Sequence, residues 1–79
     1  MAKMIVLPRD QARHKIRAAT RAVYFFCGAS QYEREVPVEE VAALFESDPA
    51  YRLRIDPEDS THLLTRPRGM FFQGYRLEF

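Results

Sequence analysis

Between residues 10 and 27 the apolar side chains Ala12, Ile16, Ala19, Val23 and then Phe26 or Cys27 recur at three- and four-residue steps, the period of one buried helix face. On the flank of that face Arg9, Arg13, Arg17 and Arg21 repeat at a strict four-residue interval, so a helix over 10–27 displays a ribbon of guanidinium groups. Opposite charges at that spacing stabilise by roughly 0.2–0.5 kcal/mol per pair and like charges cost about as much; the only acid in the segment is Asp10. The ribbon therefore needs counter-charge from outside its own helix: water and salt, another part of the chain, or a partner. Asp10 suits an N-cap and Gly28 a left-handed stop. A second reading stays open, because Val-Tyr-Phe-Phe-Cys at 23–27 is rich in strand formers; the helix then ends near Arg21 and 22–27 is a strand.

The other elements follow from punctuation and period. Residues 3–7 are short, apolar and cut off by Pro8, which predicts a first strand. Residues 29–36 are polar and read as a surface loop. Pro37 fits the first turn of a second helix, with Glu39 and Glu40 near its positive end and Val38, Val41, Ala42 and Phe45 as its buried stripe; Asp48-Pro49 ends it. Tyr51-Arg52-Leu53-Arg54-Ile55 alternates as a strand with one wet face carrying Arg52 and Arg54. Residues 56–60 are turn chemistry. Residues 62–66 and 70–79 read as a hairpin around Pro67, Arg68 and Gly69, with Gly74 a candidate bulge. Tyr75-Arg76-Leu77-Glu78-Phe79 echoes 51–55, as two strands of one sheet with Tyr, Leu and Ile or Phe on the core side require. The expected order is β-α-α-β-β-β: an α+β fold with two helices on one face of a three- or four-stranded antiparallel sheet.

A chain of 79 residues makes one domain, 1–79, with a core worth only a few kcal/mol; docking or a homodimer would relieve so thin a margin. The net charge of +1 hides blocks of opposite sign. Residues 1–34 carry seven Lys and Arg against two acids, residues 35–60 two against eight, and residues 61–79 three against one. Such blocks suit either faces that attract inside the fold or two binding surfaces. A lone Cys27 excludes an internal disulfide, and the apolar run at 1–7 is too short for a signal core or a span, so a cytoplasmic protein with no membrane role is expected.

No residue pattern supports catalysis. His14 and His62 are 48 positions apart and neither has metal-ligand spacing to Cys27, whereas zinc sites need three or four close ligands. Cys27, on the apolar arc, reads as a buried thiol; a Cys–His couple would have to form in space. His14 and His62 read as exposed. Asp56, Glu58 and Asp59 crowd a turn without the spacing of a calcium loop, and isolated glycines give no phosphate cradle. No metal and no cofactor is expected.

The composition instead favours binding. Arg9, Arg13, Arg17 and Arg21 form the principal candidate surface, with Tyr24 and Phe25 as aromatic anchors, residue types enriched in interface hot spots. Arg66, Arg68, Phe71 and Arg76 form a secondary basic-aromatic surface. The expected partner is a larger protein complex, with the chain as inhibitor or adaptor of nucleic-acid-handling machinery; small phage or mobile-element proteins of that kind, anti-CRISPR proteins among them, share the size and the lack of a catalytic set. Direct nucleic-acid binding through the ribbon and the C-terminal hairpin is the alternative.

Overall fold

A computed structural model of the chain describes residues 4–69 and 72–79. The elements run β1 (Ile5–Val6), α1 (Arg9–Ala18), β2 (Arg21–Cys27), β3 (Gln31–Val36), α2 (Val38–Ser47), β4 (Arg52–Ile55), β5 (His62–Thr65), a 3-10 turn (Pro67–Gly69) and β6 (Gln73–Glu78). All strands join one antiparallel sheet in the order β1-β4-β5-β6-β2-β3. The α+β class and the two helices agree with the sequence reading; the sheet has six strands among the described residues, not three or four.

The extra strands come from the two segments whose patterns mislead. The first helix stops at Ala18, and Ala19 turns extended at φ −65°, ψ 141°; the strand reading of 22–27 is the correct one. β2 lies between β6 and β3, so it buries residues on both faces, Ala22 on one and Val23 and Phe25 on the other. Two-sided burial erases the alternation that marks a strand. Gln31–Val36, expected as a loop, is the edge strand β3; only Val36 is buried, and it is joined to the sheet by its ladder to β2 and by the Glu33–Arg76 and Glu35–Arg21 ion pairs.

α2 forms as its punctuation demands, between Pro37 and Asp48, with Glu39 and Glu40 in its first turn and Val41 and Phe45 buried. α1 packs against β4, α2 against β2, and the helices against each other. The register sets a helix-side row Ile5, Ile55, His62, Leu77, Ala22 and Val36, and beside it a row Leu53, Leu64, Tyr75, Tyr24 and Arg34. Leu53 and Leu77 are core residues with Tyr51 and Tyr75 packed beside them, as the sequence echo predicts, whereas Phe79, expected inward as well, is 54% exposed at the strand end. Gly74 is not a bulge: it pairs with Phe25 inside a continuous ladder.

The opposite face carries no helix and is covered by its own charged side chains. Val23, between Glu35 and Arg76 in register, is only 3% exposed because Arg21–Glu35, Arg21–Glu78, Arg76–Glu78 and Arg76–Glu33 contacts at 3.1–3.6 Å run around it. The apolar stems of these arginines shield the sheet while their heads stay wet. On the same face Arg54, expected on a wet side of its strand, is instead buried without a carboxylate among the described residues; its Nη1 donates to Thr65 Oγ1 at 2.8 Å, and burial pushes the guanidinium below its ordinary pKa.

Candidate docking surface

The four arginines of the expected ribbon separate. Arg9 Nη2 donates to the Phe45 carbonyl at 2.9 Å, at the C-terminal turn of α2, where a cation is favoured by the helix dipole. Arg13 is held by Glu46, with Nε at 2.5 Å and Nη2 at 3.1 Å, and by Asp10 at 3.0 Å. Glu46 raises the Arg13 pKa, and Arg13 holds the Glu46 carboxyl below the ordinary carboxylate range. Arg21 lies on β2 and engages Glu35 at 3.2 Å and Glu78 at 3.1 Å. Of the four, Arg17 alone is exposed with no hydrogen-bonded partner or ion pair among the described residues. A continuous helical surface of guanidinium groups does not exist, because the helix ends before Arg21 and the acidic block supplies Glu35 and Glu46 as counter-ions.

Tyr24 and Phe25 are adjacent in a strand and so point to opposite faces. Tyr24 is half-buried on the helix side and its hydroxyl is 3.3 Å from Gln73 Oε1; Phe25 is 9% exposed on the other side. They do not form one anchor pair. The secondary group also divides: Arg66 pairs with Asp48 at 3.0 Å and lies 5.8 Å from the Tyr51 ring centroid, Arg68 is exposed, Arg76 belongs to the opposite face with Glu33, and Phe71 lies outside the described residues.

Cys27 is exposed and His62 buried, the reverse of the sequence expectation. The cysteine falls at the strand end rather than on a helix's apolar arc. The histidine lies in the helix-side row with its ring 4.5 Å from that of Phe79; its Nδ1 donates to the Ser60 carbonyl at 2.6 Å, and Nε2 has no hydrogen-bond partner among the described residues. His62 is opposite Leu77, and the Cys27 amide donates to Phe72. Five residues of β6 thus separate the two, about 17 Å at 3.4 Å per residue, so they form no nucleophilic couple. Asp56 and Asp59 accept backbone N–H groups of Glu58 and Thr61 at 2.9 Å, as turn-forming Asp residues do.

What the fold does assemble is a row of tyrosines at one end of the sheet. Tyr51, Tyr75, Tyr24 and Tyr32 follow one another with ring centroids 6.4, 5.4 and 6.3 Å apart. Tyr51 and Tyr75, at the inner end of the row, pack against the core, and burial raises the pKa of both. Its outer end is open: Tyr32 is 50% exposed, its register partner Phe26 39%, and Phe72, bonded to Cys27 at the same end, 61%. Arg34, opposite Tyr24 in register, is exposed and has no acidic partner among the described residues. Sequence reading missed Tyr32 and Arg34 because they lie in the segment read as a loop; the alternation Tyr-Glu-Arg-Glu-Val at 32–36 was the available signal.

No family model, curated protein or solved structure matches this chain. No helix among the described residues is long and apolar enough to cross a membrane.

Proposed function

We propose that this protein acts by binding rather than by catalysis, as a cytoplasmic adaptor or inhibitor that docks onto a larger protein. The docking surface is the open end of the tyrosine row, formed by Tyr32, Phe26 and Arg34. The observation that carries this reading is the cross-strand pair of exposed aromatic side chains Phe26 and Tyr32 on the same face as Arg34, an arginine with no acid of its own among the described residues. Exposed aromatics gathered in one patch are unusual for an isolated surface, and Tyr and Arg supply most hot spots in protein interfaces. This surface keeps the arginine-and-aromatic chemistry expected of the first helix but moves it to the sheet.

The test is affinity purification of the full chain from its native lysate beside two variants. Tyr32→Ala combined with Arg34→Glu should lose the captured partner, whereas Arg17→Glu should retain it. Loss with Arg17→Glu alone returns the surface to the helix. Direct nucleic-acid binding is the second reading, supported by the exposed side chains of His14, Lys15 and Arg17 on α1. It predicts low-salt retardation of an oligonucleotide that Arg17→Glu weakens, with the salt dependence typical of phosphate contacts.

A further inference from the structure

β3 forms one edge of the sheet, and Gln31 to Glu35 are all exposed. The direction of its free hydrogen-bonding groups follows from its neighbour. The Cys27 amide donates to the Phe72 carbonyl, so odd-numbered residues of β2 turn their amides to β6 and even-numbered ones to β3. The bonded pairs between β2 and β3 are therefore Ala22 with Val36, Tyr24 with Arg34 and Phe26 with Tyr32, and Gln31, Glu33 and Glu35 present N–H and C=O at the open edge. Such an edge templates another strand unless its side chains prevent it.

A second copy is a poor occupant. Two antiparallel strands related by a two-fold axis place one residue opposite itself. Centred on Glu33, Arg34 or Glu35 the pairing opposes Glu33 to Glu33, Arg34 to Arg34 or Glu35 to Glu35, and like charges directly opposite destabilise a sheet. Centred on Tyr32 it spans only residues 31–33 before the turn at 28–30. An unlike strand meets no such conflict. Arg34 offers a cation with no acidic partner among the described residues, beside Tyr32 on the helix side, while Glu33 and Glu35 lie on the other face.

We propose that β3 receives an extended segment of a partner protein as a seventh, antiparallel strand. That segment carries an acidic residue opposite Arg34, an aromatic or aliphatic one opposite Tyr32, and basic residues opposite Glu33 and Glu35. Main-chain bonds supply the attachment and the alternating side chains the choice of partner. The inference rests on the docking function proposed above and states how that docking is made.

The probe is the peptide acetyl-Val-Lys-Glu-Lys-Phe-Thr-amide, complementary to Val36 through Gln31 in antiparallel order, against its charge-swapped twin acetyl-Val-Glu-Lys-Glu-Phe-Thr-amide. Titrated into the labelled full chain at millimolar concentration and followed by NMR, the first should shift the amide resonances of residues 31–35 and slow exchange of the Glu33 and Glu35 amides. It should bind about tenfold more tightly than the second, given several cross-strand charge pairs. Glu33→Pro removes one outward N–H and leaves the β2 ladder intact, so it should abolish the response; should that variant unfold, Arg34→Glu, which ought to reverse the preference, decides instead. Equal responses to both peptides, or shifts confined to other residues, overturn strand addition and leave the charges of β3 as edge protection. If that happens while Tyr32→Ala with Arg34→Glu still loses the purified partner, the docking surface survives and only its mode falls. A response of Tyr32 and Arg34 to a fifteen-residue oligothymidylate but to neither peptide overturns it in favour of nucleic acid.

Discussion

The Arg9 guanidinium carbon lies 4.1 Å over the centroid of the Phe45 ring while its Nη2 donates to the carbonyl of the same residue. One side chain thus ties the start of α1 to the end of α2 by a cation–π contact, a charge-assisted hydrogen bond and a favourable helix-end charge. Arg9→Ala should lower stability by about 1–2 kcal/mol, read from the urea midpoint. Arg9→Lys should recover only part of it, since a single ammonium cannot lie flat on the ring and reach the carbonyl together. An unchanged midpoint in Arg9→Ala would release Arg9 from this structural role.

Gly74 sits where β6 passes closest to its neighbours. A Cβ there would meet Thr65 Cγ2 at 2.5 Å and the Leu64 carbonyl oxygen at 2.7 Å, and the carbonyl is backbone that cannot turn aside. Gly74→Ala should therefore destabilise by about 1–3 kcal/mol through overpacking, despite alanine's lower unfolded-state entropy. At Gly28 the obstacle is the Phe26 ring, which is partly exposed and able to swing, so Gly28→Ala should cost less. Thermal midpoints of the two variants give the comparison.

Arg54 provides a test of the buried cation. With its one hydrogen bond going to the wholly buried Thr65, Thr65→Val should cost about 1–3 kcal/mol by leaving a desolvated donor unpaired. Arg54→Met, which removes the charge and keeps the apolar stem, should be neutral or stabilising. Chemical denaturation of both variants and of the pair measures the coupling; equal losses from the two single changes would mean that Arg54 is not desolvated.

Acid should weaken the fold through the same ion pairs that dissolve the arginine ribbon. Arg13 holds Glu46, and Arg76 holds Glu33, below the ordinary carboxylate value of 4.5. A carboxyl with a depressed folded-state pKa contributes stability above its unfolded pKa and loses it as pH falls through the lower folded value. Stability should thus be flat from neutrality to about pH 5 and decline below 4.5. In Glu46→Gln and Glu33→Gln the decline should be shallower, by a small amount because both groups are solvent-exposed. Denaturant midpoints between pH 3 and 7 check the sign.

Much of the fold was legible locally. Pro37 and Asp48-Pro49 bounded α2, the buried stripe Val41 and Phe45 was visible in its period, and the Tyr-Arg-Leu echo marked two strands of one sheet with Tyr and Leu inward, though it also put Phe79 inward and Arg54 on a wet face. The failures share a cause. At 22–27 a helical period in the apolar residues competed with strand propensity, and the tie was broken by strands distant in sequence, since only a strand flanked on both sides can bury Ala22 and Val23 on opposite faces. At 31–36 nothing apolar announced a strand because an edge strand needs only backbone partners. His62 and Cys27 were assigned the wrong exposure for the same reason: each inherits its burial from the strand it sits in and from what lies over that strand.

By itself the chain determined the boundaries of its second helix by proline, the opposed charge blocks, and the need for the arginines at 9, 13, 17 and 21 to find counter-charge beyond their own segment. Only the tertiary structure decided that Glu46, Glu35 and Glu78 supply it, that Tyr24 and Phe25 part to opposite faces, and that Tyr32 and Arg34 meet at an open edge. Charge and periodicity are properties of neighbours along the chain, whereas ion pairing, strand register and exposure depend on which distant segments hydrogen-bond side by side.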